Sequence, residues 1–349
     1  MSSSPSDQPV AEAHTAHEPS SARPLHPWLK RIGTAVSLCV ILFSALILYR
    51  TISAINWHDV SLTYSATGWD QIAYAAILTA CSYLALTGYD VIALRQLALK
   101  VPYSRAALAS FTSYAISFTL GFPIITAGTV RFWIYSQERI SAGRVASLTV
   151  IAGVTFWLGM ALVIAVALLL EPASIAEINH AKIWVNQLIG MSLLVAIAVY
   201  LLWVSLDHRW MRIQGLKLEL PGFGLTLGQL FLGVMDLSCA AGTLYVLLPQ
   251  GHKMDFATFL ATYVFGCLLG IASNLPGGLG AFEVTMLQSI SGPSQGAILA
   301  SLLQFRVLYY FIPFISALAL LGAHEIFCRW TSLRAAMSER DHENDDIIT

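Results

Sequence analysis

Apolar runs of roughly bilayer-crossing length alternate along the chain with short polar connections. They fall at about 32–50, 72–98, 106–128, 145–170, 183–205, 224–248, 257–275 and 297–326. A helix needs about 20 apolar residues to cross a hydrocarbon core about 30 Å thick, so each run reads as membrane helix. Two stretches carry helix breakers. Gly121-Phe122-Pro123 interrupts one, and Ser273-Asn-Leu-Pro-Gly-Gly-Leu-Gly-Ala-Phe-Glu283 interrupts the other. Proline lacks the amide donor and glycine favours non-helical backbone, so neither stretch sustains a regular helix. Backbone in hydrocarbon has no water to bond, so such breaks survive only inside protein or beside a wet cavity.

The basic residues choose between topologies. Eight simple crossings put Arg131, Arg139 and Arg144 on the same side as loop 51–70, although Arg95, Lys100 and Arg105 already mark the opposite end of segment 106–128. The positive-inside rule is satisfied if 106–140 and 257–291 are re-entrant hairpins entering from opposite faces. Loops 51–70, 171–182 and 249–256 are then external, with Lys182 and Lys253 their exceptions. Loop 206–221, with Arg209, Arg212 and Lys217, is internal, as is the tail with Arg329, Arg334 and Arg340. The expected fold is an all-α polytopic integral membrane protein with six full spans and two broken hairpins; eight irregular crossings are the alternative. Residues 1–27 form a polar leader expected to be disordered and cytoplasmic, residues 28–328 the transmembrane domain, and residues 329–349 a cytoplasmic tail.

Composition agrees. The chain is 56% hydrophobic and 11% charged, with mean hydropathy +0.68. Soluble domains carry about 25% charged residues. A formal net charge of −1 offers no electrostatic footprint for nucleic acid. The five cysteines and nine histidines lack metal-ligand spacing, so neither metal nor cofactor is expected, and no nucleophile-plus-base set points to an enzyme.

The two broken stretches resemble each other. A shift of 152 residues puts Gly128 on Gly280 and Arg131 on Glu283; with small gaps, Tyr114 meets Tyr263 and Asp90 meets Asp236. Units of about 72–170 and 224–326 in opposite orientations make an inverted repeat, a recurrent transporter architecture. Returning half-helices are expected to start near Thr129 and Ala281, putting Arg131 and Glu283 in first turns. Helix N-termini suit anions, and Arg131 adds a planar fork for phosphate. The hairpin breaks are assigned to Gly121, Pro123, Gly128, Pro276, Gly277, Gly278 and Gly280. An Arg131–Glu283 pair, or Glu283 capping its own helix, is the structural alternative. Asp236 and Arg306 lie deep in their runs, where an unpaired charge costs at least about 2.5–3.5 kcal/mol. They are expected to pair with each other or with Glu283, or to line a polar route. Asp90 is either part of that route or a partner for Arg95.

Leu275–Glu283, Leu-Pro-Gly-Gly-Leu-Gly-Ala-Phe-Glu, resembles the signature of the transmembrane region of lysylphosphatidylglycerol synthase/flippase proteins. Gly121-Phe122-Pro123 through Gly128, Arg131 and Tyr135 resembles that family's second motif, Gly-x-x-Arg followed by Tyr. The resemblance runs from about residue 30 to 330. It implies a module that moves polar-headgroup lipids, phospholipid or isoprenoid, between leaflets of a bacterial inner membrane. The soluble aminoacyl-transferase part of two-part relatives is not expected here. By motif, Arg131 and Glu283 carry over, with Asp90, Asp236 and Arg306 beside them. The other reading is a non-transporting accessory subunit for a lipid-modifying enzyme.

Overall fold

A computed structural model describes residues 67–121, 123–179, 181–206, 210–213, 216–219, 221–272 and 280–326. The leader 1–27, the run at 32–50, the tail 329–349 and the break residues Pro276, Gly277 and Gly278 lie outside the described residues. The elements in chain order are α1 (Trp69–Gln96), α2 (Tyr103–Leu120), α3 (Pro123–Ser136), α4 (Ala142–Leu170), α5 (Pro172–Asn179) and α6 (Ile183–Leu206). The strands β1 (Trp210–Ile213) and β2 (Leu216–Glu219) follow, then α7 (Phe223–Leu247), α8 (Phe256–Ala272), α9 (Ala281–Ser289) and α10 (Gln295–Ile326). Within α10, Arg306–Phe311 is wound as a π-helix.

Among the described residues, five helices are long and apolar enough to cross a membrane: α1, α4, α6, α7 and α10. They match the expected runs at 72–98, 145–170, 183–205, 224–248 and 297–326. The chain is thus a helical membrane protein, apart from one antiparallel hairpin, β1–β2, in what the sequence reads as loop 206–221. Within it Leu216, Leu218 and Leu220 alternate with Lys217 and Glu219, a period-2 strand pattern that the reading as a loop passed over, and four residue pairs form the ladder.

At the centre, α1 packs antiparallel on α7, and α4 crosses α7. Gly159 of α4 meets Gly233 of α7 so closely that a Cβ on Gly159 would lie 2.5 Å from the Gly233 backbone. Small residues at a membrane-helix crossing let backbones approach, and dispersion then supplies the association that the hydrophobic effect cannot. Other glycines divide between close contacts and open space. Gly190 and Gly266 do face close neighbours, whereas a Cβ on Gly224 would meet nothing within 4 Å. By contrast α6 is largely exposed and apolar all round, as a helix facing lipid should be.

Of the remaining helices, α2 pairs with α3 and α8 with α9, while the short α5 packs against α6. Arg105 near the start of α2, Glu138 just past α3 and His324 near the end of α10 bond one another: Arg105 Nε lies 3.5 Å from Glu138 Oε1, and Arg105 Nη1 lies 3.1 Å from His324 Nε2. The open end of α2–α3 therefore lies at the C-terminal end of α10. The turn is made by Gly121 at φ +80°, a conformation natural to glycine. Pro123, in the first helical position where its missing N–H costs nothing, starts α3. Next to that turn, Phe118 stacks at 6.3 Å on Tyr309 and reaches Tyr83 at 6.4 Å, both near the middle of their own helices.

The second pair is opposite in sense. Phe256, which opens α8, packs on Tyr245 near the C-terminal end of α7. Leu247, the last residue of α7, accepts from Ser301 in the N-terminal part of α10. At the other end of the pair, Phe282 stacks on Phe305 of mid-α10 at 6.4 Å. With 9 residues, α9 is about 14 Å long, well short of a bilayer core. The two pairs thus open toward opposite ends of α10 and meet its middle with aromatic side chains.

One boundary differs from expectation. The returning helix of the first pair starts at Pro123, not near Thr129, so Gly128 lies inside α3 and breaks nothing. Pro123 fixes φ in the helical range, which favours initiation there. The start of α9 at Ala281 is as expected, with Gly280 at φ +91° before it.

Candidate functional site

Three polar constellations are embedded in the apolar body, and they distribute the expected residues differently from the sequence reading. In the first, Arg131 of α3 donates from Nε and Nη2 to Asp90 of α1 at 3.0 and 2.7 Å. Tyr135, one helical turn on, donates to the same carboxylate at 3.1 Å, and Tyr114 of α2 lies under the guanidinium at 4.8 Å. Arg131 and Asp90 side chains are 1% and 0% exposed. A bidentate fork on a carboxylate, with a ring covering the guanidinium face, neutralises both charges where water is absent.

This corrects three expectations. Arg131 does not pair with Glu283. It stands in the third turn of α3, away from the helix N-terminus. Asp90 serves Arg131, while Arg95 is exposed. The reason is rotational: Asp90 faces α3, and Arg95, five residues on, has turned about 140° away around the helix.

The second constellation joins Glu283 of α9 to Arg306 of α10. Glu283 Oε2 accepts the Gly280 N–H at 2.7 Å, closing the first turn of α9. Its other oxygen accepts from Arg306 Nε at 2.6 Å and from Arg306 Nη2 as well. The expected helix-end role and the expected ion pair are both present. Tyr310 lies 5.6 Å beneath the Arg306 guanidinium. Here the side chains are 16% and 15% exposed, an order of magnitude more than the first pair. Arg306 is also the first residue of the π-helical segment, a wider winding frequent at functional sites.

The third constellation surrounds Asp236 of α7. Ser82 Oγ lies 2.5 Å from Oδ1 and Tyr89 donates to Oδ2 at 3.1 Å, both from α1. Ser82 lies 2.7 Å from the Tyr309 hydroxyl, and the Tyr83 hydroxyl donates to the Tyr309 carbonyl at 3.1 Å. The expected Asp236–Arg306 pair is absent, because Arg306 is engaged by Glu283. Ser82, Tyr89, Tyr309 and Tyr310 escaped the sequence reading, which followed charged residues and the two broken motifs. Their signal was tyrosines placed mid-run, far from the interfacial positions that aromatic side chains with a polar tip prefer.

These features define a helical membrane protein with two opposed helix pairs meeting buried charge near mid-body. No family model matches the chain. It is 30% identical over 293 residues to the uncharacterized protein slr0712 of Synechocystis, covering 84% of this chain and 91% of that protein. It is 27% identical over 283 residues to the inner membrane protein YbhN of Escherichia coli, covering 80% and 88%. A phosphatidylglycerol lysyltransferase of Staphylococcus aureus is 24% identical over 285 residues, covering 80% of this chain but 32% of the relative. The chain thus spans about a third of that enzyme, and it belongs to the same family as the Synechocystis protein.

Proposed function

We propose that this protein moves a polar-headgroup lipid, phospholipid or isoprenoid, between the leaflets of a bacterial inner membrane. The observation that carries this reading is the Glu283–Arg306 pair. It is accessible enough for exchange, lies at the N-terminus of a helix too short to span, and adjoins the aromatic cluster of α10 that both helix pairs touch. A guanidinium and a carboxylate that hold each other at rest can exchange partners with a zwitterionic or anionic headgroup. The exchange conserves charge and so avoids exposing a bare ion to hydrocarbon. Similarity to an inner membrane protein and to a lysyltransferase acting on phosphatidylglycerol supports the location and the lipid class.

On this reading α2–α3 and α8–α9 are re-entrant hairpins of an inverted repeat, about 72–170 and 224–326. The open end of α2–α3, with Arg105 and Arg139 nearby, faces the cytoplasm, as do both chain termini. The Arg131–Asp90 pair fixes the first hairpin, and Glu283, Arg306 and Asp236 line the route. The test is reconstitution into phosphatidylethanolamine–phosphatidylglycerol vesicles carrying fluorescent phosphatidylglycerol or phosphatidylethanolamine, with flipping followed by quenching from outside. The protein should speed translocation of at least one probe over empty vesicles, and Arg306→Gln should lower that rate at least tenfold. Rates equal to those of empty vesicles with every probe would refute the reading. The lysyltransferase relative, three times the length of the matched region, motivates the accessory-subunit reading. That reading gains if a lipid-modifying enzyme co-purifies while translocation stays at background.

A further inference from the structure

We propose that Asp236 is an ion-coupling residue that carries a proton in the conformation described here. Charge balance motivates it. Among the described residues, the other carboxylates of the buried body each have a guanidinium: Asp90 has Arg131, and Glu283 has Arg306. Asp236, 3% exposed, has hydroxyls alone. The titratable side chains that face it are all uncharged when protonated. They are Tyr83 and Tyr89 of α1, Tyr114 of α2, Tyr263 and Cys267 of α8, and Tyr309 of α10, with Cys239 on its own helix. A carboxylate in such surroundings needs a counter-ion or a proton.

The ligand count decides between them. A metal cation binds several oxygens, six or more for the hard divalent ions, whereas this carboxyl has two hydroxyl partners. A proton fits: as the neutral acid, Asp236 donates to Ser82 Oγ, and Ser82 donates to the Tyr309 hydroxyl at 2.7 Å. Ser82 thus turns from donor to acceptor when Asp236 gains a proton, reversing the hydroxyl chain that ends on the π-helix. That segment begins with Arg306, so the proton and the Glu283–Arg306 exchange act on one element. The coupling to lipid rests on the translocation reading; the protonation state does not.

Two measurements keep these separate. Infrared difference spectra of the purified full-length protein in detergent should show a protonated-carboxyl band at neutral pH that disappears in Asp236→Asn and shifts in Ser82→Ala. Absence of any band sensitive to Asp236→Asn would overturn the proposal, whether or not the protein moves lipid. In the fluorescent-phosphatidylglycerol vesicles, a pH gradient should change the wild-type rate at least threefold, with opposite gradients acting in opposite directions. Asp236→Asn, which mimics the neutral acid, should lose that response. Flipping that ignores the pH gradient, or follows a sodium gradient instead, would overturn coupling while leaving translocation intact.

Discussion

Replacing Asp90 by Asn removes the one opposite charge that meets Arg131 among the described residues while changing side-chain volume little. The guanidinium, 1% exposed, then has no anionic partner among the described residues. Two charges at about 4 Å in a medium of effective dielectric about 20 attract by roughly 4 kcal/mol. Breaking one partner of a buried pair costs about 3–5 kcal/mol, because the survivor keeps its desolvation penalty. Retention of the Tyr114 contact should hold the loss for Asp90→Asn near the lower end, about 3 kcal/mol. Replacing both partners, as Asp90→Leu with Arg131→Met, removes the charges together and should return stability to within about 1–2 kcal/mol of the wild type. The assay is denaturant unfolding of the purified protein in mixed micelles, with the coupling taken from the double-mutant cycle. A loss below about 0.5 kcal/mol for Asp90→Asn, or no recovery in the double variant, would refute the reasoning. Translocation by the double variant then separates roles: rates near wild type would make the pair a clamp for α3, while a folded but inactive protein would give it a part in transport.

Gly159→Leu should destabilise by more than the usual overpacking cost of about 1–3 kcal/mol, because the obstructing atoms are backbone of Gly233 that no rotamer can move; retention of the wild-type melting temperature would contradict the close crossing. Asp255, outside the spans, caps α8 by accepting from the Thr258 hydroxyl and from the backbone N–H groups of Ala257 and Thr258. These bonds, the Thr258 hydroxyl first, hold its carboxyl below the usual range. The cap therefore contributes fully above the ordinary carboxylate range near 3.9 and fades as pH falls through the depressed folded value. Asp255→Ala should cost about 0.5–2 kcal/mol at neutral pH, and the gap from wild type should shrink in acid; a gap that widens in acid would contradict the sign.

The sequence alone determined the number and position of long helices among the described residues, because membrane helices satisfy their own backbone and announce themselves by apolar length. It also located the turn at Gly121-Phe122-Pro123 and the start of α9 after Gly280, since glycine and proline act through local backbone geometry. It singled out the buried charges Asp90, Arg131, Asp236, Glu283 and Arg306, because a charge stands out within an apolar run. What it left undecided was which charge meets which. Asp90 and Arg131 are 41 residues apart, and Glu283 and Arg306 are 23 apart, and only the packing of α1 and α3 against the shared neighbours α2 and α4, and of α9 on α10, brings them together. Asp236 was left with hydroxyls because Arg306 had a nearer carboxylate, an outcome of competition in three dimensions. The close crossing at Gly159 and Gly233 was equally hidden, since a glycine in a helix looks the same in sequence whether it faces lipid or another backbone. Pairing is a property of helix rotation and packing, and those are set by all the contacts at once.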